Sequence, residues 1–185
     1  MCGRYFIDME DTNIKIWLNE NNNDVKANEV FPTNKGLVLT YDKKIIAKAI
    51  PWGFKKWDNK GHVINARSET IATNRFFKHA FKQKKAIVLA SGFYEWNDAK
   101  VKHIITPKDN SIFYMAALIQ EEDQGFAIVT QQATHPVASI HNRQPIMISD
   151  DHLIPYLTHQ LDEQLEYYTS KSMDMHSVVR QATLL

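Results

Sequence analysis

The sequence predicts an α+β fold in which a largely antiparallel, curved sheet of short strands carries a few peripheral helices. Many short apolar or alternating runs are separated by turn residues, a pattern typical of short strands. Helical periodicity is confined to a few stretches, which do not alternate regularly with the strands as they do in parallel βαβ units. No repeat, low-complexity tract or Pro/Gly/Ser linker interrupts the chain, so residues 1–185 are predicted to form a single domain.

The first predicted elements are a short strand and a helix. Residues 2–7 are predicted to form the strand, and Asp11 or Thr12 is suited to cap the helix that follows. An asparagine run at residues 21–23 is expected to end this helix. Its predicted inner face consists of Ile14, Trp17 and Leu18.

A turn-rich loop over residues 30–34 precedes a predicted β-hairpin, whose strands at residues 37–41 and 45–50 flank a polar turn. Residues 52–62 read as a long polar loop that contains two tryptophans. Ser68 is predicted to cap a helix that runs to about Gln83. The apolar face of that helix consists of Ile71, Phe76, Phe77, Ala80 and Phe81.

The second half of the chain is predicted as strands followed by a helix. The predicted strands are residues 86–90, 93–96, 103–106, 112–119, 126–131 and 145–148. Asp150 and Asp151 are expected to start a helical stretch that reaches Tyr168.

Composition indicates a folded cytoplasmic protein. Hydrophobic residues make up 44% of the 185 residues, which is enough for a sizeable core. No apolar run approaches the roughly 20 residues that cross a bilayer, and the first residues lack the apolar stretch of a secretory signal. The single cysteine cannot form an internal disulfide, which agrees with a reducing compartment. No His or Cys spacing resembles a zinc site, so we expect no metal, no cofactor and no membrane partner.

Charge is distributed unevenly along the chain. The segment from Lys43 to Lys85 has 12 lysines and arginines but two acidic residues, a formal charge of +10, whereas the rest of the chain carries −9. A basic segment in a chain of net charge +1 indicates a local surface for a polyanion. A merely solvated lysine-rich surface is the alternative.

Cys2 is the first candidate for chemistry. Aminopeptidases usually remove Met1 before a residue this small, which leaves a cysteine with a free α-amine. The pKa of an α-amine is about 7.7–8.0, against about 10.4 for lysine, so part of it is uncharged at neutral pH. An uncharged amine attacks an aldehyde to give a Schiff base, and the neighbouring thiolate can then close a thiazolidine ring. The alternative is a small buried residue without a chemical role.

Three other segments contain groups suited to such a reaction. Asn65 can both donate and accept hydrogen bonds, which suits the positioning of an amine or a sugar hydroxyl. Glu95 lies among aromatic residues, where desolvation would raise its pKa and fit it for proton transfer. His141 is one of eight histidines and does not stand out by composition.

Arginines accompany these segments. Arg4 lies two residues after Cys2, Arg67 precedes a predicted helix and Arg143 follows His141, so each is placed to hold a phosphate near the candidate residues. The alternatives are ordinary surface cations and helix capping.

Taken in order, these segments resemble the SOS response-associated peptidase (SRAP) family. The motifs are Met-Cys-Gly-Arg-Tyr, Pro-Thr, Trp-Gly, Asn-Ala-Arg-Ser-Glu-Thr, Gly-Phe-Tyr-Glu-Trp and His-x-Arg-x-Pro. Each motif alone is weak, but the ordered set from Cys2 to about Ile148 is specific.

The resemblance implies covalent capture of abasic sites in single-stranded DNA as a thiazolidine crosslink, formed through Schiff-base, lyase-like chemistry. Cys2 would be the nucleophile, Asn65 would orient the amine and the opened sugar, Glu95 would move protons, and His141 would assist ring opening and release. The resemblance further implies phosphate contacts by Arg4, Arg67 and Arg143, and DNA-contacting loop residues Pro32, Thr33 and Trp52. It implies a monomer that works in the cytoplasm on nucleoid DNA during the DNA damage response.

The sequence departs from the family pattern after Trp52-Gly53, at Gln144 and from His152 onward. These departures affect DNA-strand preference and the far edge of the binding groove.

Three alternative functions remain open. An N-terminal-nucleophile glutamine amidotransferase also begins Met-Cys-Gly, although no Asn-Gly or Gly-Asp segment is present to bind glutamine. A non-covalent single-stranded DNA-binding module and a peptidase that removes its own Met1 are the others.

Overall fold

The computed structural model describes residues 2–19, 25, 28–159 and 173–177, and in these residues the chain forms 15 strands, four α-helices and three short 3₁₀ helices. The strands are β1 Tyr5–Phe6, β2 Glu29–Val30, β3 Lys35–Asp42, β4 Lys44–Pro51, β5 Phe54–Lys55, β6 His62–Val63, β7 Asn65–Arg67, β8 Lys85–Ala90, β9 Gly92–Trp96, β10 Lys102–Pro107, β11 Phe113–Ile119, β12 Phe126–Gln132, β13 Arg143–Pro145, β14 Met147–Ile148 and β15 Met173–Ser177. The α-helices are α1 Thr12–Asn19, α2 Ser68–Ile71, α3 Lys78–Gln83 and α4 Leu153–Leu157.

Two sheets organise the fold. The larger has the path β13-β12-β11-β8-β3-β4, with β14 paired to β11 and β7 paired to β12, and the smaller has the order β15-β10-β9-β1-β2. Every pairing within them is antiparallel except that of β7 with β12. The predicted α+β class with mostly antiparallel short strands is therefore confirmed.

The central strand β8 lies between β3 and β11, and all six of its residues are buried. A strand covered on both faces is expected to be continuously apolar, as Ala86 to Ala90 are. Lys85 begins the strand and lies over the rings of Phe81 and Tyr156, with its Nζ 4.9 and 5.4 Å from their centroids. These strands form the core of the molecule.

Ser91 joins the two sheets, because the chain passes from β8 in the larger sheet to β9 in the smaller one through this residue alone. Its N–H donates to the carbonyl oxygen of Phe6 at 2.9 Å, and its Oγ accepts from the N–H of Asp8 at 2.8 Å. These bonds hold β1 beside β9, where Tyr5 pairs with Phe93. The N-terminal residues are thereby fixed against the strand that contains Glu95.

Several predicted elements are confirmed. Asp11 caps α1, because its Oδ1 accepts from the N–H groups of Asn13 and Ile14 at 2.7 and 3.2 Å. The hairpin β3–β4 turns at Lys43, as predicted. The asparagine run expected to end α1, at residues 21–23, lies outside the described residues.

The predicted helix from Ser68 to Gln83 is wrong, because the chain forms two short helices instead. Asn74 interrupts it: its Oδ1 accepts from the N–H of Phe76 at 2.8 Å, and its carbonyl accepts from Phe77 and Lys78. Such local bonds compete with the helical ladder. Ser68 is the first residue of α2 rather than its cap, which is Arg67.

Other boundaries also differ from the predictions. The predicted strand at residues 2–7 is reduced to β1, and the predicted loop at 52–62 contains the short hairpin β5–β6. The predicted strand at 145–148 is divided at Ile146, which bonds to both neighbouring strands and so separates β13 from β14. The predicted C-terminal helix is a 3₁₀ turn at Asp150–His152 followed by α4, and its remainder beyond residue 159 lies outside the described residues. No helix among the described residues is long and apolar enough to cross a membrane.

Candidate active site and nucleic-acid interface

Cys2 lies where the N-terminal segment packs between the two sheets, and its side chain is fully buried. The thiol points at the carbonyl oxygen of Arg4, with 4.0 Å between Sγ and that oxygen. Burial raises the pKa of the thiol well above its ordinary value, and the negative charge of Glu95 raises it further. In this environment the sulfur keeps its proton until a neighbouring base removes it.

Asn65 holds the backbone of Cys2. Asn65 lies on β7 and pairs with Ile128 of β12 in the parallel arrangement of these two strands. Its Nδ2 donates to the carbonyl oxygen of Cys2 at 2.8 Å. Its Oδ1 is buried and has no hydrogen-bond partner among the described residues. A buried amide oxygen beside the N-terminal residue can accept a hydrogen bond from an amine.

Glu95 and His141 form the other half of the site. Glu95 lies on β9 with 3% of its surface exposed, and its Oε1 is 3.9 Å from His141 Nδ1. The N–H of Arg143 donates to His141 Nδ1 at 3.0 Å. Nδ1 also lies 3.1 Å from the carbonyl oxygen of Arg143, so this nitrogen can accept from the N–H or donate to the carbonyl, depending on the tautomer of the ring. The arrangement offers a carboxylate and an imidazole for proton transfer beside the sulfur.

The four residues predicted to be catalytic, Cys2, Asn65, Glu95 and His141, thus lie together, although they come from four separate parts of the chain. Their catalytic roles stay predictions. No group of three or more His, Cys, Asp or Glu side chains suited to hold a metal ion occurs among the described residues.

Arg143 braces the loop that contains His141. Its guanidinium makes a two-point ion pair with Glu69, in which Nη2 is 3.0 Å from Oε2, and Nη2 also donates to the carbonyl oxygen of Thr130 at 2.6 Å. Hydrogen bonding to Arg143 lowers the pKa of the Glu69 carboxyl. The side chain is 12% exposed. The predicted phosphate contact therefore does not fit this conformation, in which the guanidinium is engaged by protein groups.

Arg4 lies in an aromatic and acidic cluster. Its guanidinium carbon is 4.4 Å from the ring centroid of Phe31 and 5.1 Å from that of Tyr94, and Nη2 forms an ion pair with Glu29. The hydrogen bond from Arg4 lowers the pKa of Glu29. Burial, with the hydrogen bond to Glu29, raises the pKa of Tyr94 to about 12. A phosphate bound by Arg4 would have to compete with the Glu29 carboxylate.

Trp52 is a core residue, which corrects the prediction that it contacts DNA directly. Its side chain is fully buried, edge-on to Tyr5 at 5.3 Å and stacked on Phe126 at 6.1 Å between centroids. Its Nε1 donates to the carbonyl oxygen of Ile64 at 3.0 Å. A ring enclosed in this way has no face left for a base. The sequence motif did not reveal the direction in which this side chain points.

The backbone of Trp52 supports the loop that contains Pro32 and Thr33. The N–H of Thr33 donates to the Trp52 carbonyl oxygen at 2.8 Å, and the N–H of Trp52 donates to the Asn34 carbonyl oxygen at 2.8 Å. Thr33 is exposed and has a φ of 76°, a conformation uncommon outside glycine. Pro32 is half-buried. This loop and exposed Arg67 remain candidates for DNA contact, but α2 behind Arg67 is a single turn, so it offers no extended helix dipole.

The hairpin β5–β6 presents an aromatic and basic surface that sequence reasoning missed. Trp57 at its turn is 68% exposed, packs edge-on against Phe76 at 5.2 Å and has the guanidinium carbon of Arg75 4.9 Å from its ring centroid. The hairpin begins two residues after Trp52 and ends two residues before Asn65. Its signal in the sequence was Trp57 among the neighbouring lysines, a combination of aromatic and basic residues suited to a nucleic acid.

Comparison with known proteins gives consistent results. The family model for SOS response associated peptidase (SRAP) matches residues 1–183. The chain is 35% identical over 133 residues to the abasic site processing protein YedK of Escherichia coli strain K12, an alignment that covers 66% of this chain and 60% of YedK. It is 26% identical over 208 residues to the abasic site processing protein YoqW of Bacillus subtilis strain 168, covering 96% of this chain and 92% of YoqW. The alignment with YoaM, another B. subtilis abasic site processing protein, spans 49% of that relative at 31% identity, so this chain corresponds to about half of the length of some relatives.

Solved structures agree on the fold. A protein from Bordetella bronchiseptica superposes with a TM-score of 0.77 at 16% identity, covering 97% of this chain and all of that chain. A phage-related protein from the same bacterium gives 0.75 at 22% identity, covering 97% of this chain and 95% of that one. Since the family model extends over nearly the whole sequence, this chain belongs to the SOS response associated peptidase family.

Proposed function

We propose that this protein captures abasic sites in single-stranded DNA through Cys2, after Met1 has been removed to expose the α-amine. The observation that carries the proposal is the close grouping of Cys2, Asn65, Glu95 and His141. The names of the relatives, abasic site processing proteins, support the same substrate. We further infer that residues 1–185 act as a single SRAP-like domain.

The chemistry begins at nitrogen. The uncharged α-amine attacks C1′ of the ring-opened sugar, which is an aldehyde, and forms a carbinolamine. Protonation of the carbinolamine hydroxyl by Glu95 lets it leave as water and leaves Glu95 as a carboxylate. Transfer of the nitrogen proton to a neighbouring base then gives the imine. The thiol then adds to the imine carbon while its proton passes by way of Glu95 to the ring nitrogen. One water is released, and one C–N and one C–S bond are formed.

The environment of Cys2 supports this order of events. Burial raises the pKa of the thiol, so the sulfur is a poor nucleophile until a base takes its proton. Glu95 is the carboxylate whose charge acts on the sulfur. Asn65 would hold the Cys2 backbone and accept from the amine, and His141 would transfer protons to and from the sugar during ring opening and during reversal of the crosslink.

DNA binding would involve the exposed residues around this site. We propose phosphate contacts by Arg67 and by Arg4 after release from Glu29, base or sugar contacts by Phe31, Pro32 and Thr33, and stacking on Trp57. Arg143 would act indirectly by holding His141 in place. Trp52 would act indirectly by holding the Pro32–Thr33 loop.

A denaturing gel tests the proposal. The protein is incubated with a single-stranded oligonucleotide containing one abasic site, and the same oligonucleotide with an intact base is the control. We expect a slowly migrating band for the wild type with abasic DNA alone, and none for Cys2→Ala, which should still bind in a native gel. A crosslink that persists in Cys2→Ala would remove Cys2 from the mechanism.

Intact-mass measurement supplies the second test. The purified chain should be lighter by one methionine residue, and the crosslinked species should contain protein plus DNA minus one water. A chain that retains Met1 cannot form the thiazolidine.

The alternative functions predict other outcomes. Binding without a crosslink would favour the non-covalent module, and release of glutamate from glutamine would favour the amidotransferase. Removal of Met1 by the purified protein itself would assign peptidase activity to the same residues.

A further inference from the structure

We propose that His103 is a positioning residue that shares a proton with Glu95, an inference that rests on the proposed capture of abasic sites. His103 lies on β10 directly opposite Glu95 on β9 in the antiparallel pairing. Directly opposed residues project from the same face of a sheet with their Cβ atoms about 4.5–5.5 Å apart. Both side chains are buried, with 6% and 3% of their surfaces exposed.

Of the two nitrogens of the His103 ring, one has a hydrogen-bond partner among the described residues and the other has none. Nδ1 lies 3.3 Å from the hydroxyl oxygen of Ser177 on β15, the next strand of the sheet. Nε2 is buried and has no hydrogen-bond partner among the described residues. A buried polar atom without a partner is destabilising, so a histidine here is best explained by an interaction with its acidic neighbour or with a water that joins them.

The charged neighbours identify Glu95 as the relevant partner. Side chains alternate along a strand, so Lys102 and Ile104 project from the opposite face of β10. Lys102 indeed lies over the ring of Tyr94 on that face, 3.8 Å from its centroid. On the inner face, the Cys2 thiol and His141 from the 133–142 loop lie near Glu95, and His103 lies directly opposite Glu95 in the pairing of β9 with β10.

The proposed reaction has a place for a second proton site. Glu95 becomes a carboxylate when it gives its proton to the departing hydroxyl, and in that form it takes the proton of the thiol. An imidazole opposite this carboxylate can take up the proton that the nitrogen loses when the imine forms, and the positive charge of the imidazolium favours the ionised carboxylate. Ser177 would fix the ring through Nδ1, so that the C-terminal strand β15 supports the chemistry at the N-terminus.

The test compares His103→Gln with His176→Gln. His176 lies on β15, is exposed and pairs with Ile104, so it belongs to the opposite face and serves as the matched control. Crosslinking rates at saturating abasic DNA are measured from about pH 5 to pH 9, the range in which histidine titrates. We expect His103→Gln to slow capture roughly 10-fold, below the roughly 100- to 10,000-fold contribution of a general acid–base group itself.

The pH profile separates this role from a structural one. Without an imidazolium beside it, the Glu95 carboxylate should be protonated at a higher pH. The fall in rate on the acidic side of the profile should therefore occur at a higher pH in His103→Gln, and in that variant alone. Affinity for DNA and thermal stability should stay close to those of the wild type. The proposal would be overturned if the acidic side of the profile stayed at the same pH, or if a loss of stability accounted for the slower rate.

An NMR titration tests the pair without reference to capture. The imidazole resonances of His103 should titrate at lower pH in Glu95→Gln than in the wild type, because a neutral amide no longer stabilises the imidazolium. Identical titrations would show that the two groups do not share a proton. If the wild type forms no crosslink, the proposed function fails, whereas the titration still decides whether His103 and Glu95 are coupled.

Discussion

At the level of single residues, the proposed reaction places two demands on Glu95, which acts as an acid in one step and as a base in the next. We expect Glu95→Gln to slow crosslinking roughly 100- to 10,000-fold, the usual contribution of a general acid–base group, because an amide cannot transfer the proton. Binding of intact single-stranded DNA should change little, since the side chain is buried. Single-turnover kinetics at saturating DNA measure the rate. A rate equal to that of the wild type would exclude Glu95 from proton transfer.

The pair of Arg4 and Glu29 gives a second prediction at this scale. Glu29→Gln removes the carboxylate that holds the guanidinium, so Arg4 becomes available for a phosphate. We expect tighter DNA binding, because the guanidinium no longer has to leave the carboxylate, and a salt dependence of log K close to that of the wild type, because the number of phosphate contacts is the same. Fluorescence anisotropy over a salt series measures both quantities.

Arg4→Gln is the matched variant for that experiment. It should weaken binding and flatten the salt dependence, both alone and combined with Glu29→Gln. If neither single variant changes DNA affinity, Arg4 serves the packing of Phe31 and Tyr94 rather than the binding of phosphate.

The sequence predicted which residues form the candidate site better than it predicted which groups surround each of them. Cys2, Asn65, Glu95 and His141 were singled out because short motifs surround them, and the structure brings them together. The partner of Arg4 is 25 residues away and meets it through the pairing of β1 with β2, which a local pattern does not reveal.

At the level of elements, the β5–β6 hairpin is the part of the proposed DNA surface that depends most on one side chain. Trp57→Ala should weaken single-stranded DNA binding by about 1–3 kcal/mol, the usual value of one base stacked on an aromatic ring. Trp57 is 68% exposed, so stability should change little. Anisotropy with intact and abasic oligonucleotides gives the affinities, and the crosslinking rate at saturating DNA should be unaffected.

Two variants control for loss of aromatic surface in general. Trp57→Phe keeps a ring for stacking and should retain most of the affinity. Tyr41→Ala removes another exposed aromatic side chain, 40% accessible, near the turn of β3–β4. If Tyr41→Ala weakens binding as much as Trp57→Ala does, the hairpin β5–β6 has no special part in binding.

Elements were predictable where local pattern and tertiary structure agree. The hairpin β3–β4 has apolar strands that flank a short polar turn, and the structure confirms it. The predicted helix from Ser68 to Gln83 has the correct apolar spacing, but the side chain of Asn74 bonds to the following backbone and divides it. Periodicity reports which residues are buried and does not report such competing bonds.

At the level of the whole molecule, the two sheets share one continuous segment from β8 through Ser91 to β9. The N-terminus is anchored to that segment by the bonds of Ser91 to Phe6 and Asp8. Cys2, the proposed nucleophile, is therefore fixed by the centre of the fold rather than by a terminal arm. This arrangement explains why Cys2 is buried although it lies at the start of the chain.

The basic segment is spread more widely in the folded molecule than its place in the sequence implied. Lys48 forms an ion pair with Asp123 at 2.7 Å, and Lys85 is buried against two aromatic rings. Lys43 lies at the turn of β3–β4, the far end of an eight-residue strand from Pro51. At about 3.3 Å per residue, that strand separates Lys43 from the Trp52 region by roughly 25 Å.

The salt dependence of DNA binding should therefore reflect part of the basic segment. We expect log K to fall linearly with log salt, by about 0.7 for each phosphate contacted on single-stranded DNA. Replacing Lys55 and Lys56 of the β5–β6 hairpin by glutamine should reduce this slope, whereas Lys43→Gln should leave it unchanged because of its distance. Equal effects of all three lysines would indicate general charge attraction without a defined groove. A wild-type affinity that does not respond to salt would exclude backbone phosphates as the main contacts.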